Sequence, residues 1–152
     1  DASKWPNDDQ RPLTDDGIRK FQRAARGIAR LVEPPDELLT STLTRARQTA
    51  ALLVDAADFP APSELEPLRP DTPTKTLIAA LAKRRPLRVA VVGHEPDLSQ
   101  LIAALLGATG ARVQLKKGAC AQLSFTGRVD AGAGQLISLW PPRTLREVAR
   151  KR

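Results

Sequence analysis

Apolar and polar residues alternate along this chain with two different periods, and the switches between them mark out helices and strands. Ile18, Phe21, Ala25, Ile28 and Leu31 recur every three or four positions, with Arg19, Lys20, Arg23, Arg26 and Arg30 mostly between them. That spacing predicts an amphipathic helix running to about residue 32, its basic side a solvated face. Thr14 suits its N-cap, because a threonine hydroxyl accepts from an unpaired first-turn N–H. Asp15 and Asp16 complement the positive end of the helix dipole, and Pro34 and Pro35 stop it. A short strand is expected over 38–40 and a helix from about 44 or 45 to 57. Ala46, Ala50, Leu53 and Ala57 share one face of that helix.

The second half continues the alternation. Residues 60–73 hold five of the thirteen prolines and read as an ordered connector over the site. A helix is predicted over about 74–84, then a buried strand at 88–92. Pro96 fits the first turn of a helix reaching about 106, ended by Gly107 and Gly110. Strands near 119–125 and 135–140 flank a glycine-containing hairpin loop, 126–134. A last helix is predicted from about Thr144, with Arg143, Arg146, Arg150, Lys151 and Arg152 as a frayed basic tail. Before the first helix, residues 1–12 are polar and irregular, broken by Pro6 and Pro12. Helices alternating with short apolar strands predict one three-layer α/β/α domain over residues 1–152, with a mostly parallel sheet.

Composition narrows the class. The chain has 152 residues, 41% hydrophobic and 27% charged, which is globular and enough for one sizeable core. Aromatics make up only 3%, so the core is expected to be aliphatic. No apolar stretch approaches the length needed to span a bilayer, so no membrane role is expected. One cysteine, Cys120, cannot form an internal disulfide and fits a reducing, cytoplasmic setting. The net charge of +7 raises nucleic acid as a partner. No zinc spacing, recognition helix or interleaved aromatics accompany the basic residues, so that partner is not expected.

Two segments carry candidate chemistry. His94, the only histidine, follows the strand 87–92 in the turn Gly93-His94-Glu95-Pro96. The carboxyl ends of strands are where open α/β sheets place their sites. The second segment, Ser41-Thr42-Leu43-Thr44-Arg45-Ala46-Arg47-Gln48-Thr49, follows the first strand. Arg45 at a helix start offers a planar fork of donors to phosphate oxygens, beside unpaired backbone N–H groups. Arg47 reads as an ordinary surface charge. Glu66 and Glu95 are candidate proton donors. No His, Cys or carboxylate set has metal-ligand spacing, so no metal and no cofactor is expected.

These segments resemble the histidine phosphatase superfamily, in particular its small SixA-type phosphohistidine phosphatases. The superfamily pattern Ser-Pro-x-x-Arg-Ala-x-Gln-Thr is matched at Ser41, Arg45, Ala46, Gln48 and Thr49, with Thr42 replacing the proline. Arg11-Pro12-Leu13-Thr14 with Gly17 is similar to the loop that leads to the first helix in the small members. The resemblance implies a phosphoglycerate-mutase-like fold and a catalytic pair, Arg45 and His94, around the transferred phosphoryl group. It places Arg11 at the substrate entrance. An anion between these converging cations would relieve their repulsion and raise the pKa of His94.

The resemblance also implies hydrolysis of phosphohistidine through a phosphoenzyme formed on another histidine, in an Arg-His-Gly triplet ending the first strand. This chain has no such triplet, begins with Asp1 and holds no Met, as expected of a sequence missing that strand. Unpaired backbone and exposed aliphatic side chains are then expected beside a gap in the sheet. The 152 residues alone are expected to be inactive. Substrates would be a phosphohistidine-bearing protein or a small phosphomonoester. The alternatives are a broad-specificity phosphomonoesterase or mutase of the same superfamily, and a non-catalytic phosphate- or phosphoprotein-binding module. The oligomeric state is left open.

Overall fold

Gly27 has no room for a side chain, because the backbone of another helix lies against it. The computed structural model describes residues 4–108 and 113–151; Asp1, Gly110 and Arg152 lie outside them. Helix α1, Asp15–Leu31, starts on Thr14, whose Oγ1 accepts from the Gly17 N–H at 3.0 Å, as the sequence leads one to expect. A Cβ built on Gly27 would stand 2.0 Å from the carbonyl oxygen of Leu145. Leu145 belongs to the last helix, α5, Pro142–Arg150, and its side chain is fully buried. Arg30 extends the contact by donating from Nη1 to the Val148 carbonyl at 2.7 Å.

The basic C-terminal residues as far as Arg150 are therefore a docked helix and not a frayed tail. That helix begins two residues before the expected Thr144. Pro142 opens it, because a proline at a first helical position loses no hydrogen bond and already holds a helical φ.

Between these ends run β1 (Glu37–Thr40), α2 (Thr44–Ala57), β2 (Ser63–Glu64), α3 (Thr74–Ala82), β3 (Val89–Val92), α4 (Asp97–Leu105), β4 (Cys120–Ser124) and β5 (Gln135–Trp140). The proline-rich connector contains β2 and a 3₁₀ turn at Glu66–Leu68, both missed by periodicity because each is too short to show one. Strands β2, β1 and β3 form a parallel sheet in that order. Glu37 to Thr40 pair in register with Val89 to Val92.

Alternation along β1 and β3 separates two cores, as the pleat requires. Leu38, Ala90 and Val92 face Ala24, Ala25, Ile28, Ala50, Leu53 and Leu145. Leu39, Val89 and Val91 face Leu77, Ile78, Leu81, Leu101 and Leu105. Helices α1, α2 and α5 thus cover one side, with α3 and α4 on the other. The architecture is the expected three-layer α/β/α.

The middle layer is not one continuous sheet. Strands β4 and β5 form a separate antiparallel pair, with a register shift between Gln122 and Leu123. Among the described residues neither β4 nor β5 pairs with β2, β1 or β3, while β1 and β3 pair directly. Among the described residues no strand pairs with the other edge of β3. Leu136, Ile137 and Leu139 of β5 are exposed. Among the described residues no helix is long and apolar enough to cross a membrane.

The crossing at Gly27 generates a prediction. Alanine has the better helix propensity by about 1 kcal/mol, yet its methyl would have to displace the backbone of Leu145. Gly27→Ala should therefore lower the unfolding free energy by about 1–3 kcal/mol in urea titrations. An unchanged or stabilised variant would show that α5 does not pack on α1 in this way.

Candidate active site

Parallel pairing carries β1 and β3 to a common end, where Ser41 and His94 meet. The Ser41 N–H donates to the Val92 carbonyl at 3.0 Å, extending the ladder one step past Thr40. Ser41 is fully buried, and its Oγ lies 2.8 Å from His94 Nε2 in a shared hydrogen bond. The same oxygen accepts from the Leu43 N–H at 3.3 Å, so its own hydrogen can point at the imidazole. Ser41 was a pattern position in the sequence; its contact with His94 was not foreseen, because it joins residues 53 apart in the chain.

Arg45 is the second residue of α2, so its side chain leaves the helix at its positive end. Its Nη1 donates to the Asp8 carbonyl at 3.0 Å, and its Nη2 lies 3.2 Å from Asp8 Oδ2. Asp8 Oδ1 accepts from Arg11 Nε at 2.8 Å. One carboxylate therefore bridges two of the three site residues expected from sequence. Asp8 opens a 3₁₀ turn, Asp8–Gln10, where the sequence showed only an irregular polar segment. The turn is capped by Asn7, whose side-chain oxygen accepts from the Asp9 N–H at 3.0 Å.

Gln48 explains how this segment is held over α2. Its Oε1 accepts from the Leu13 N–H at 2.7 Å, tying the loop of Arg11 to the helix of Arg45. Arg69, in the connector, was not singled out in the sequence. Its Nη2 meets Asp9 Oδ2 at 2.6 Å, and its Nη1 donates to Thr42 Oγ1 at 2.7 Å. A lone arginine in a proline-rich stretch carries no periodic or motif signal.

The remaining candidates lie elsewhere. Arg47 is exposed and pairs with Glu64 at 3.3 Å. Glu95 accepts from the Ser99 N–H at 3.0 Å and from the Ser99 hydroxyl, bracing the first turn of α4. Glu66 is exposed, 3.9 Å from Arg69 Nε. Among the described residues no group of three or more His, Cys, Asp or Glu side chains could hold a metal ion.

Charge ties the site together. Hydrogen bonding by Arg11, aided by the charge of Arg45, holds the Asp8 carboxyl below its ordinary range. Half-burial pushes the His94 imidazole below its usual 6.5, and the cations Arg45 and Arg69 push the same way. Asp97 and Asp8 oppose them, each less strongly than burial or Arg45 acts but more strongly than Arg69. The protein's own groups thus favour a neutral imidazole, in contrast to the imidazolium expected beside a bound phosphate. The sign for stability follows from linkage. Below the ordinary pKa of 6.5 the unfolded chain binds the proton more readily than the folded one. The neutral ring's contribution to stability is therefore complete above that pH and declines as the pH falls through it.

Because His94 is the only histidine, its ring signals in an NMR titration report this site alone. The expected midpoint lies below 6.5 and moves upward when inorganic phosphate is added. A midpoint at or above 6.5 without phosphate would contradict the role given to burial.

Known proteins share this arrangement of elements. Residues 5–69 match the model of the histidine phosphatase superfamily (branch 1), a span that includes Arg11, 41–49 and Arg69 and stops before His94. The protein histidine phosphatase SixA, solved in complex with tungstate, superposes with a TM-score of 0.75. It is 26% identical and covers 92% of this chain and 90% of its own. A structure assigned as the phosphohistidine phosphatase SixA of Agrobacterium tumefaciens shares the fold, with a TM-score of 0.76 at 21% identity over 91% of this chain and 88% of that one. An uncharacterised protein of Picosynechococcus sp. (strain PCC 7002) is 32% identical over 151 residues, 95% of this chain and 92% of that protein. A likeness that runs through nearly the whole of both sequences, with the Arg45 segment inside the matched family span, means that the chain belongs to branch 1 of the histidine phosphatase superfamily.

Proposed function

We propose that the protein is a phosphohistidine phosphatase in which Arg45 and His94 hold the transferred phosphoryl group and Arg11 lines the substrate entrance. The observation that carries this reading is the Asp8 carboxylate bridging Arg11 and Arg45, with the charges of Asp8 and Arg45 both felt by His94. A place that binds a carboxylate between two guanidinium groups, at a helix start, suits a phosphoryl group equally well. Complexation of the related SixA with tungstate, another tetrahedral oxyanion, supports it.

Phosphoryl transfer asks a protein mainly for positioning and for charge stabilisation of the equatorial oxygens. Arg45 supplies a fixed fork of donors, and His94, once protonated beside the anion, supplies a further one. In the reaction, a histidine nitrogen attacks phosphorus as the P–N bond to the substrate imidazole breaks. The leaving imidazole keeps the electron pair and takes a proton. Water then attacks the phosphoenzyme, releasing phosphate and the histidine. A phosphohistidine leaving group can be protonated before it departs, which lessens the need for a dedicated acid. That accords with Glu95 being engaged by Ser99 and Glu66 lying exposed beside Arg69.

This scheme needs two histidines, one attacking and one holding, and the 152 residues contain one. On this reading the chain as given binds phosphate without turning substrate over, and a chain extended by a strand ending in Arg-His-Gly acquires activity. Incubation with a phosphohistidine peptide should release no phosphate above the buffer control. Turnover that disappeared on changing His94 would refute the assignment of roles.

Arg45 and Arg47 supply the sharper contrast, since they lie two residues apart on α2. In the extended enzyme Arg45→Ala should lower kcat by about 100-fold or more, because it removes charge stabilisation at the transition state. Arg47→Ala should leave kcat within about twofold, as expected for an exposed ion pair. Similar losses in the two variants, or undiminished phosphate binding by Arg45→Ala, would rule the cradle out.

A further inference from the structure

We propose that Arg69 is a second phosphate-holding guanidinium of this site, and that Asp8 and Asp9 are internal anions which an incoming phosphoryl group displaces. The proposal rests on the phosphate-site reading given above and adds to it a binding residue and a built-in competitor.

The positions of the two arginines argue for it. Arg45 comes from the start of α2 and Arg69 from the connector, yet both end on one short turn. Arg45 takes Asp8, through its carbonyl and its carboxylate, and Arg69 takes the Asp9 carboxylate at 2.6 Å. Arg69 is also fixed from behind by its 2.7 Å bond to Thr42 Oγ1. Thr42 adjoins Ser41, which bonds His94, so this guanidinium is held one residue from the imidazole's own partner. Its charge acts on His94 together with that of Arg45. Two forked cations facing the same turn offer more donors than one carboxylate can use.

The turn has the character of a replaceable occupant. Asp8 and Asp9 side chains are 57% and 44% exposed, and ion pairs so open to water are individually weak. A phosphoryl group carries up to two charges and three accepting oxygens on one centre, and can satisfy both guanidinium groups with a single ligand. The carboxylates then move into water at little cost. Until that happens they keep Arg11, Arg45 and Arg69 from repelling one another, at the expense of weakening every anion that competes.

A purely structural Arg69 would do something different. If it only straps the turn to the connector, removing it frees Asp9 without removing any contact to phosphate. Phosphate affinity would then stay the same or rise.

The test uses the 152-residue chain and inorganic phosphate at fixed ionic strength, followed by calorimetry and by the His94 ring signals. Asp8→Asn/Asp9→Asn should bind phosphate about three- to tenfold more tightly than the parent, the worth of two or three exposed ion pairs. Arg69→Gln should bind it at least about threefold more weakly. Thermal melts establish that each variant is folded, and the double asparagine variant changes only surface groups, so it keeps the test decisive should Arg69→Gln unfold. Parent-like or tighter binding by a folded Arg69→Gln would make Arg69 a strap and overturn its binding role. Parent-like binding by the asparagine variant would overturn the competitor role. Failure of the parent and of the asparagine variant to bind phosphate would instead overturn the phosphate site itself, and this proposal with it.

Discussion

Parallel pairing of Thr40 with Val92 sets the ends of β1 and β3 side by side, and the rest of the site is arranged around that junction. One step further on, the Ser41 N–H still reaches the Val92 carbonyl, and two residues beyond Val92 the His94 ring returns to Ser41 Oγ. A slip of one residue in this register would exchange the faces of Leu38 and Leu39 and break both cores at once. Burial of those leucines against α1 and α2 on one side and α3 and α4 on the other therefore fixes where His94 stands. The stability of the sheet and the geometry of the site are one constraint.

Periodicity made the helices legible because each buries one stripe, and a stripe leaves a 3.6-residue signature in the sequence. Thr14 as a cap, the extent of α2 and the strand before His94 were readable for the same local reason. The candidate residues Arg45 and His94 were legible by position at element ends, and Arg11 by its motif. What escaped was non-local. Strand β2 is two residues long and exists because Leu39 and Thr40 offer it a parallel edge. The turn at Asp8 is held from distant elements by Arg45 and Arg69. A gap in the sheet was expected, and the strands do divide into two sheets; which strands pair on each side of it depends on edges that meet in space, and composition does not encode that.

The basic balance of the chain acquires a more specific meaning in the site. Arg11, Arg45 and Arg69 would be costly neighbours without counter-charges, and Asp8 and Asp9 supply them from a segment with no core of its own. The N-terminal turn stays in place through these polar contacts, its Asn7 cap, and the bond from the Leu13 N–H to Gln48. A segment held mainly by exposed charges can be exchanged for another anion far more readily than one held by buried apolar area, since each such pair contributes only about 0.2–1 kcal/mol.

Exchange of that kind would also alter the proton on His94. Around the ring stand Arg45 and Arg69, which disfavour the imidazolium, and Asp8 and Asp97, which favour it, with burial the largest effect of all. Replacing the turn's carboxylates with a more highly charged anion shifts this balance toward the protonated ring. Linkage then requires the reverse: a protonated His94 must bind that anion more tightly, by the same factor that the anion raises the proton affinity. For an anion whose own charge is fixed over the range, affinity therefore rises as the pH falls through the interval between the pKa values of the occupied and the internally neutralised site. On the proposed reading, the neutral imidazole bonded to Ser41 gains its second N–H and its positive charge only when an anion is bound. This separation lets a half-buried histidine stand beside two arginines without holding a third positive charge in waiting.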